Sequence, residues 1–278
     1  MNQWVTVNGL QMHARASRGA PPADAPTIVL VHGLGMSSRY FEPLLDELAP
    51  YARVIAPDLP GYGRSASPRQ RLTLAGMADA LDAWMGAVGI DSAVVAGNSL
   101  GAQVIAQLGV RHPDRLTRAV LIGPTRDPSV GGPFRHVLRL TLDAPLERPA
   151  LVGVAVRDYL RAGPKLMYRL FGEALRHREE DQLRHLRVPT LIVRGSRDPI
   201  ASQGWVEQIN RLVPTSQLVV IDGAAHAVNF SAAPQLAHAI RTFLVDGDGD
   251  AQKSVSSSPM MCTAASSCLL YTSPSPRD

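Results

Sequence analysis

The stretch Val94-Val95-Ala96-Gly97-Asn98-Ser99-Leu100-Gly101 decides how the rest of the chain is read. An apolar run with β-branched residues, Ala93 to Ala96, enters it. Leu100, Val104, Ile105 and Leu108 leave it at helical spacing, and the pattern closes before His112-Pro113. That is strand, tight turn and helix, with Ser99 at the tip. Glycines two before and two after the serine relieve crowding where strand and helix meet at an acute angle. The hydroxyl is lifted clear of its backbone, over helix N-terminal N–H groups that favour negative charge. Ser99 is therefore a candidate nucleophile. The plain alternative is a βα turn with an N-cap serine, and a Gly-x-Ser-x-Gly match carries weight only through its context.

Outward from this stretch, strands and helices alternate. Trp4 to Val7 and Leu10 to Ala16, joined by Asn8-Gly9, form a predicted hairpin, because Asn-Gly supplies the positive φ of a type I′ turn. Thr27 to Val31 reads as a strand buried on both faces. It ends in His32-Gly33-Leu34-Gly35, and a helix is expected over Ser38 to Leu48. Further strands are expected at Arg53–Ala56, Leu116–Ile122, Thr190–Val193 and Gln217–Ile221, and helices at Thr73–Val88, Ser202–Leu212 and Pro234–Val245. The prediction is an α/β fold: a mostly parallel eight-stranded sheet with an antiparallel N-terminal hairpin, helices on both faces, and a helical insertion. Residues 125–187 are that insertion, three or four proline-punctuated helices including Phe134–Leu142, Ala150–Arg161 and Leu166–Arg176. Residues 1–124 and 188–246 form the core.

Composition narrows the function. At 45% hydrophobic and 19% charged residues, the chain has ample apolar surface to bury. No apolar run is long enough to span a bilayer, and Met1-Asn2-Gln3-Trp4 has no basic n-region of a signal peptide, so a cytoplasmic protein without a membrane partner is expected. Both cysteines, Cys262 and Cys268, fall near the end, leaving no disulfide framework or thiolate metal site in the body. The net charge of +4 equals the surplus of residues 124–187, where twelve Lys and Arg face eight Asp and Glu. Scattered arginines on a helical insertion read as a solvated face, and no nucleic acid is expected. From about 247 the composition loses periodicity, and disorder is expected through 278. Leu270 to Asp278 resembles translated adaptor read-through of assembled environmental sequence. Read that way, it is foreign to the gene and the native terminus lies upstream. The Asp/Gly run at 246–250 lacks the glutamate and flanking helices of a calcium loop.

A serine hydroxyl needs a positioned base. His226, flanked by small residues after a predicted strand, is the candidate, against a structural loop histidine. The imidazole in turn needs an acid to fix its tautomer. Asp198, beyond the turn Gly195-Ser196-Arg197, is the first choice; its alternative role is a helix cap before Ser202, and Asp127 is the second acid. The backbone N–H groups of Leu34 and Leu100 are the candidate oxyanion donors. His32 reads as a support of its turn, with no partner at zinc-like spacing, so neither metal nor cofactor is expected. Asp58 to Ser65 is glycine-rich but has no following helix or Lys-Ser/Thr, and reads as a structural loop rather than a phosphate cradle. His32, Ser99, Asp198 and His226 all follow predicted strand ends, where ligands of parallel sheets bind.

Together, the strand leading to His32-Gly-Leu-Gly35, Asp58-x-x-Gly-x-Gly-x-Ser65, Gly97-Asn-Ser-Leu-Gly101, the insertion, Gly195-x-x-Asp198 and the late His226 resemble the α/β-hydrolase superfamily over residues 1–246. The order Ser, Asp, His is that superfamily's order. The resemblance implies a helical cap at 125–187 and a serine hydrolase acting on a small carboxylic ester or related acyl compound, as monomer or homodimer. Serine at 99 departs from the aspartate of the superfamily's dehalogenases and epoxide hydrolases. Gly-Asn-Ser is similar to its C–C bond hydrolases of ring-cleavage products, but those carry tryptophan after the histidine, where this chain has Ala227. C–C cleavage and a non-catalytic ligand receptor on the same fold are the alternatives.

Overall fold

Six strands run parallel in the computed structural model: β3 (Thr27–Val31), β4 (Arg53–Pro57), β5 (Ala93–Asn98), β6 (Leu116–Ile122), β7 (Thr190–Gly195) and β8 (Ser216–Ile221). The hairpin of β1 (Asn2–Val7) and β2 (Leu10–Ala16) adds antiparallel at the β4 edge. The structure describes residues 1–19, 21–69, 72–246, 260–262 and 268–270. Strand order is β1-β2-β4-β3-β5-β6-β7-β8, and two three-residue strands, β9 (Met260–Cys262) and β10 (Cys268–Leu270), extend it past β8. The eight expected strands are therefore joined by two from the stretch expected to be unstructured. The remainder of that stretch lies outside the described residues.

The sheet divides its side chains by the period of two. On one face, Val29, Val31, Val95 and Leu121 pack against α2 (Leu74–Ala87), α3 (Leu100–Arg111) and α8 (Gln203–Leu212). On the other, Ile28, Leu30, Val94 and Val120 pack against α1 (Glu42–Leu48) and α10 (Ala233–Asp246). Thr73 caps α2 through Gly76 N–H, and Ser202 caps α8 through Trp205 N–H, so two predicted helix starts are the cap residues themselves. The helix expected over Ser38–Leu48 is split: Ser38–Phe41 is a 3₁₀ turn, and Pro43 at the second position starts α1 afresh.

Between β6 and β7 the chain forms α4 (Gly132–Asp143), α5 (Pro149–Ala162), α6 (Pro164–Arg176) and α7 (Glu179–Leu183). Three of these four carry proline in their first turn, where its missing N–H costs nothing. The short α9 (Val228–Ser231), just past His226, escapes sequence reading because four residues show no periodicity.

Candidate active site

Ser99 sits between β5 and α3 with φ +58° and ψ −118°, a conformation that costs a non-glycine residue roughly 1–3 kcal/mol. The flanking glycines show why the bend survives. A Cβ on Gly97 would lie 2.6 Å from the Gly101 carbonyl carbon, and one on Gly101 would overlap the Val31 carbonyl oxygen. Strand β3 and helix α3 touch through backbone at this point, and the sharp turn follows from that contact. Ser99 N–H donates to the Ile122 carbonyl (2.9 Å), tying the turn to β6.

His226 and Asp198 meet. The histidine follows β8, the aspartate follows β7, and Nδ1 stands 2.8 Å from Asp198 Oδ2. The other oxygen, Oδ1, accepts from the N–H groups of Ile200 (2.7 Å) and Ala201 (3.0 Å). The carboxylate is thus held at both oxygens, and since it accepts, Nδ1 carries the proton. Asp198 does not cap α8; Ser202 does. Asp127, the second candidate acid, faces elsewhere: it accepts from Ser129 N–H (2.9 Å) and from the hydroxyls of Ser129 and Ser202.

Ser99 and His226 are brought to the same rim but not into a hydrogen bond. His226 Nε2 is buried and has no partner among the described residues. The link between them runs through Asn98, which is 1% exposed. Its Nδ2 donates to the carbonyls of Ile122 (3.3 Å) and His226 (3.2 Å), and its Oδ1 accepts from the Tyr40 hydroxyl (3.0 Å). Asn229 Nδ2 in turn donates to the Tyr40 carbonyl (3.1 Å). Burial, with help from Glu147 and Asp143, raises the Tyr40 pKa well above its ordinary value, so the hydroxyl keeps the proton it donates.

Leu34 lies in the turn after β3, and Leu100 opens α3, where the first N–H groups have no intrahelical partner. A Cβ on Gly33 would lie 3.2 Å from Ser99 Cβ, so this turn flanks the serine. His32 supports the turn: its Nε2 accepts from Leu59 N–H (3.0 Å), which leaves Nδ1 to donate to the Gly33 carbonyl (2.9 Å). Burial lowers its pKa and keeps it neutral, with nearby Asp58 and Asp158 opposing. Asp58 holds the glycine-rich loop, accepting from Ser38 N–H (2.6 Å), Arg64 N–H (2.8 Å) and His13 Nδ1 (2.8 Å). These bonds outweigh its burial and bring its carboxyl down to about 2. Among the described residues no group of three or more His, Cys, Asp or Glu is placed to hold a metal ion.

Sequence reading missed the carboxylates that the insertion brings here. Asp143, at the end of α4, accepts from His226 N–H (3.1 Å), and Glu147 accepts from Ala227 N–H (2.5 Å). Burial lowers the His226 pKa, but Asp198 beside it, then Asp143 and Glu147, overcome this and push it up to about 9. Burial raises the Asp143 and Glu147 carboxyls as well. Asp158 of α5 accepts from the Ser37 hydroxyl (2.6 Å), and Tyr159 and Met167 fill the space over Gly35. The signal in the sequence was slight: acids four apart around Pro145 in an otherwise arginine-rich segment.

A model of the alpha/beta hydrolase family matches residues 28–239. The pimeloyl-[acyl-carrier protein] methyl ester esterase of Neisseria meningitidis serogroup B is 31% identical over 265 residues, covering 85% of this chain and 99% of its own. Among solved structures, a thermophilic esterase from Thermogutta terrifontis superposes with a TM-score of 0.73 at 22% identity, over 88% of this chain and 98% of its own. The meta-cleavage product hydrolase of Pseudomonas fluorescens IP01 does so with a TM-score of 0.66 at 19% identity, over 88% and 98%.

Proposed function

This chain belongs to the alpha/beta hydrolase family, and from that premise we propose that it is a serine hydrolase of small carboxylic esters or related acyl compounds, working through an acyl-enzyme. Ser99 Oγ attacks the acyl carbon while His226 Nε2 takes its proton. Asp198 keeps the imidazole in the tautomer that exposes Nε2 and stabilises the imidazolium. The N–H groups of Leu34 and Leu100 receive the oxyanion. His226 then protonates the leaving alcohol, and water deacylates the serine by the same route. The insertion acts as a cap: Asp143, Glu147, Asp158 and Tyr159 bring it down on the two loops that carry the chemistry.

The observation that carries this reading is the His226–Asp198 pair, bonded through Nδ1 with Nε2 buried and unpartnered beside a strained serine. Of the two chemistries, ester cleavage is favoured over C–C cleavage. Ala227 stands where the C–C bond hydrolases carry tryptophan, and the relative that is 31% identical is a methyl ester esterase. The test is fluorophosphonate labelling with peptide mapping, together with turnover of p-nitrophenyl esters. Label on Ser99 is expected, with Ser99→Ala losing about 10⁴-fold or more in kcat. Label on another residue, or wild-type turnover by Ser99→Ala, sinks the assignment.

A further inference from the structure

Beside Ser37 to Arg39, five arginines from four separate segments line one cleft between the insertion and the core. They are Arg15 of β2, Arg39 in the 3₁₀ turn, Arg64 in the loop after β4, and Arg157 and Arg161 of α5. The last two are four apart and share a helix face. Their charges are poorly matched. The side chains of Arg39, Arg64, Arg157 and Arg161 make no hydrogen bond or ion pair among the described residues. Arg15 bonds Glu42 through one terminal nitrogen (2.9 Å), while its Nε is buried without a partner. Two carboxylates line the cleft, and both are engaged: Asp58 by His13 and two backbone N–H groups, Asp158 by the Ser37 hydroxyl. Arg39 contributes only a longer-range attraction to Asp158.

We propose that this cleft is a recognition site for a phosphate group carried by the acyl substrate away from the bond that is cleaved. Guanidinium forks match the oxygens of phosphate bidentately, and several converging from different segments hold it in one place. Its position suits that role. Ser37 lies three residues past Leu34, and Tyr159, next to Asp158, covers Gly35 of the same turn. The cleft and the turn beside Ser99 thus belong to one short stretch of chain, residues 33–39. The cleft holds about 20 Å³ of open space, the room of a water molecule. Arg157 and Arg161, exposed and unpartnered, are the side chains whose rotation widens it around an anion. The phosphate assignment stands on these arginines; only its link to substrate rests on the serine-hydrolase reading.

Thermal unfolding with inorganic phosphate, against sodium chloride of equal ionic strength, tests the site without any turnover. Phosphate at about ten times its dissociation constant raises Tm by about 3–5 °C, in the wild type and in Ser99→Ala alike. In the Arg157→Ala/Arg161→Ala double variant the rise falls to the chloride level. A shift no larger than chloride gives, or one the double variant retains, overturns the site. In the kinetic arm, the double variant raises KM for a phosphate-bearing acyl ester about tenfold and leaves a neutral ester unchanged. Equal KM changes for the two esters overturn the substrate assignment and leave free phosphate as the occupant.

Discussion

The sheet and the helical insertion both carry abundant apolar sequence, and they dispose of it in opposite ways. In β3, Ile28 to Val31 are fully buried, and neighbouring strands repeat this. In α4, α5 and α6, Phe134, Leu142, Leu160 and Tyr168 are more than half exposed, and few residues, such as Leu151 and Leu170, reach the core. What the insertion does send inward is acid. Asp143 and Glu147 receive the N–H groups of His226 and Ala227, Asp158 receives the Ser37 hydroxyl, and Glu173 receives Leu74 N–H. The sheet is held by packing, and Asp58 and Asp198 beyond its strand ends each accept several hydrogen bonds. The insertion buries fewer of its apolar side chains and adds polar contacts to the core from Asp143, Glu147, Asp158 and Glu173, each worth about 1–3 kcal/mol.

The largest effect that would break this comparison lies at the elbow. Gly101→Ala forces a methyl into the Val31 carbonyl, and neither backbone can retreat without disturbing the sheet. We expect a loss of about 3 kcal/mol and a fall in Tm of about 10 °C, read by thermal unfolding. A variant of unchanged Tm shows that the strand and helix are not in fixed contact.

Next comes the buried amide that joins the serine to the histidine loop. Tyr40→Phe removes the donor to Asn98 Oδ1, leaving a buried acceptor unsatisfied while Nδ2 alone holds the amide through its two carbonyls. Stability should drop by about 1–3 kcal/mol. The sharper readout is kinetic: kcat falls about 10- to 100-fold as the geometry loosens, with KM nearly unchanged. A proportionate loss in both places Tyr40 in substrate binding instead.

What the sequence disclosed follows the same division. The strands, the elbow at Ser99, and the positions of Asp198 and His226 were legible because each is written locally, as an apolar run followed by a turn. The helices of the insertion were legible too, from proline starts and apolar spacing. Their attachment was not. The bond from His226 N–H to Asp143 spans 83 residues, and the one from Ser37 to Asp158 spans 121. No local pattern distinguishes those acids from ones facing water. Asn98 was visible as part of a motif, while its bond across 128 residues to the His226 carbonyl was not.

Asp143 and Glu147 allow the comparison to be sharpened by pH. Against the burial that lowers it, Asp198 first and then Asp143 and Glu147 push the His226 pKa up to about 9. The raised value means that its pairing stabilises the fold fully below the unfolded histidine's pKa of about 6.5, and that this stability fades as pH rises through about 9. Asp143→Asn and Glu147→Gln each remove a negative neighbour. The acid limb of kcat/KM should move to lower pH in both, with activity at pH 7 rising about threefold relative to pH 9. The fall of Tm between pH 7 and 9.5 should become shallower. An acid limb that stays where the wild type has it means that these carboxylates are already withdrawn from the histidine in the free enzyme.

The smallest effect completes the contrast. Leu160, on α5, is 79% exposed. Leu160→Ser removes a side chain that gains almost nothing from folding, so stability should hold within about 0.5 kcal/mol and Tm within about 2 °C. The same replacement at a fully buried strand position such as Leu30 removes a side chain worth several kcal/mol. A marked loss at Leu160 would mean that this face is covered in solution, and that the insertion is held by packing after all.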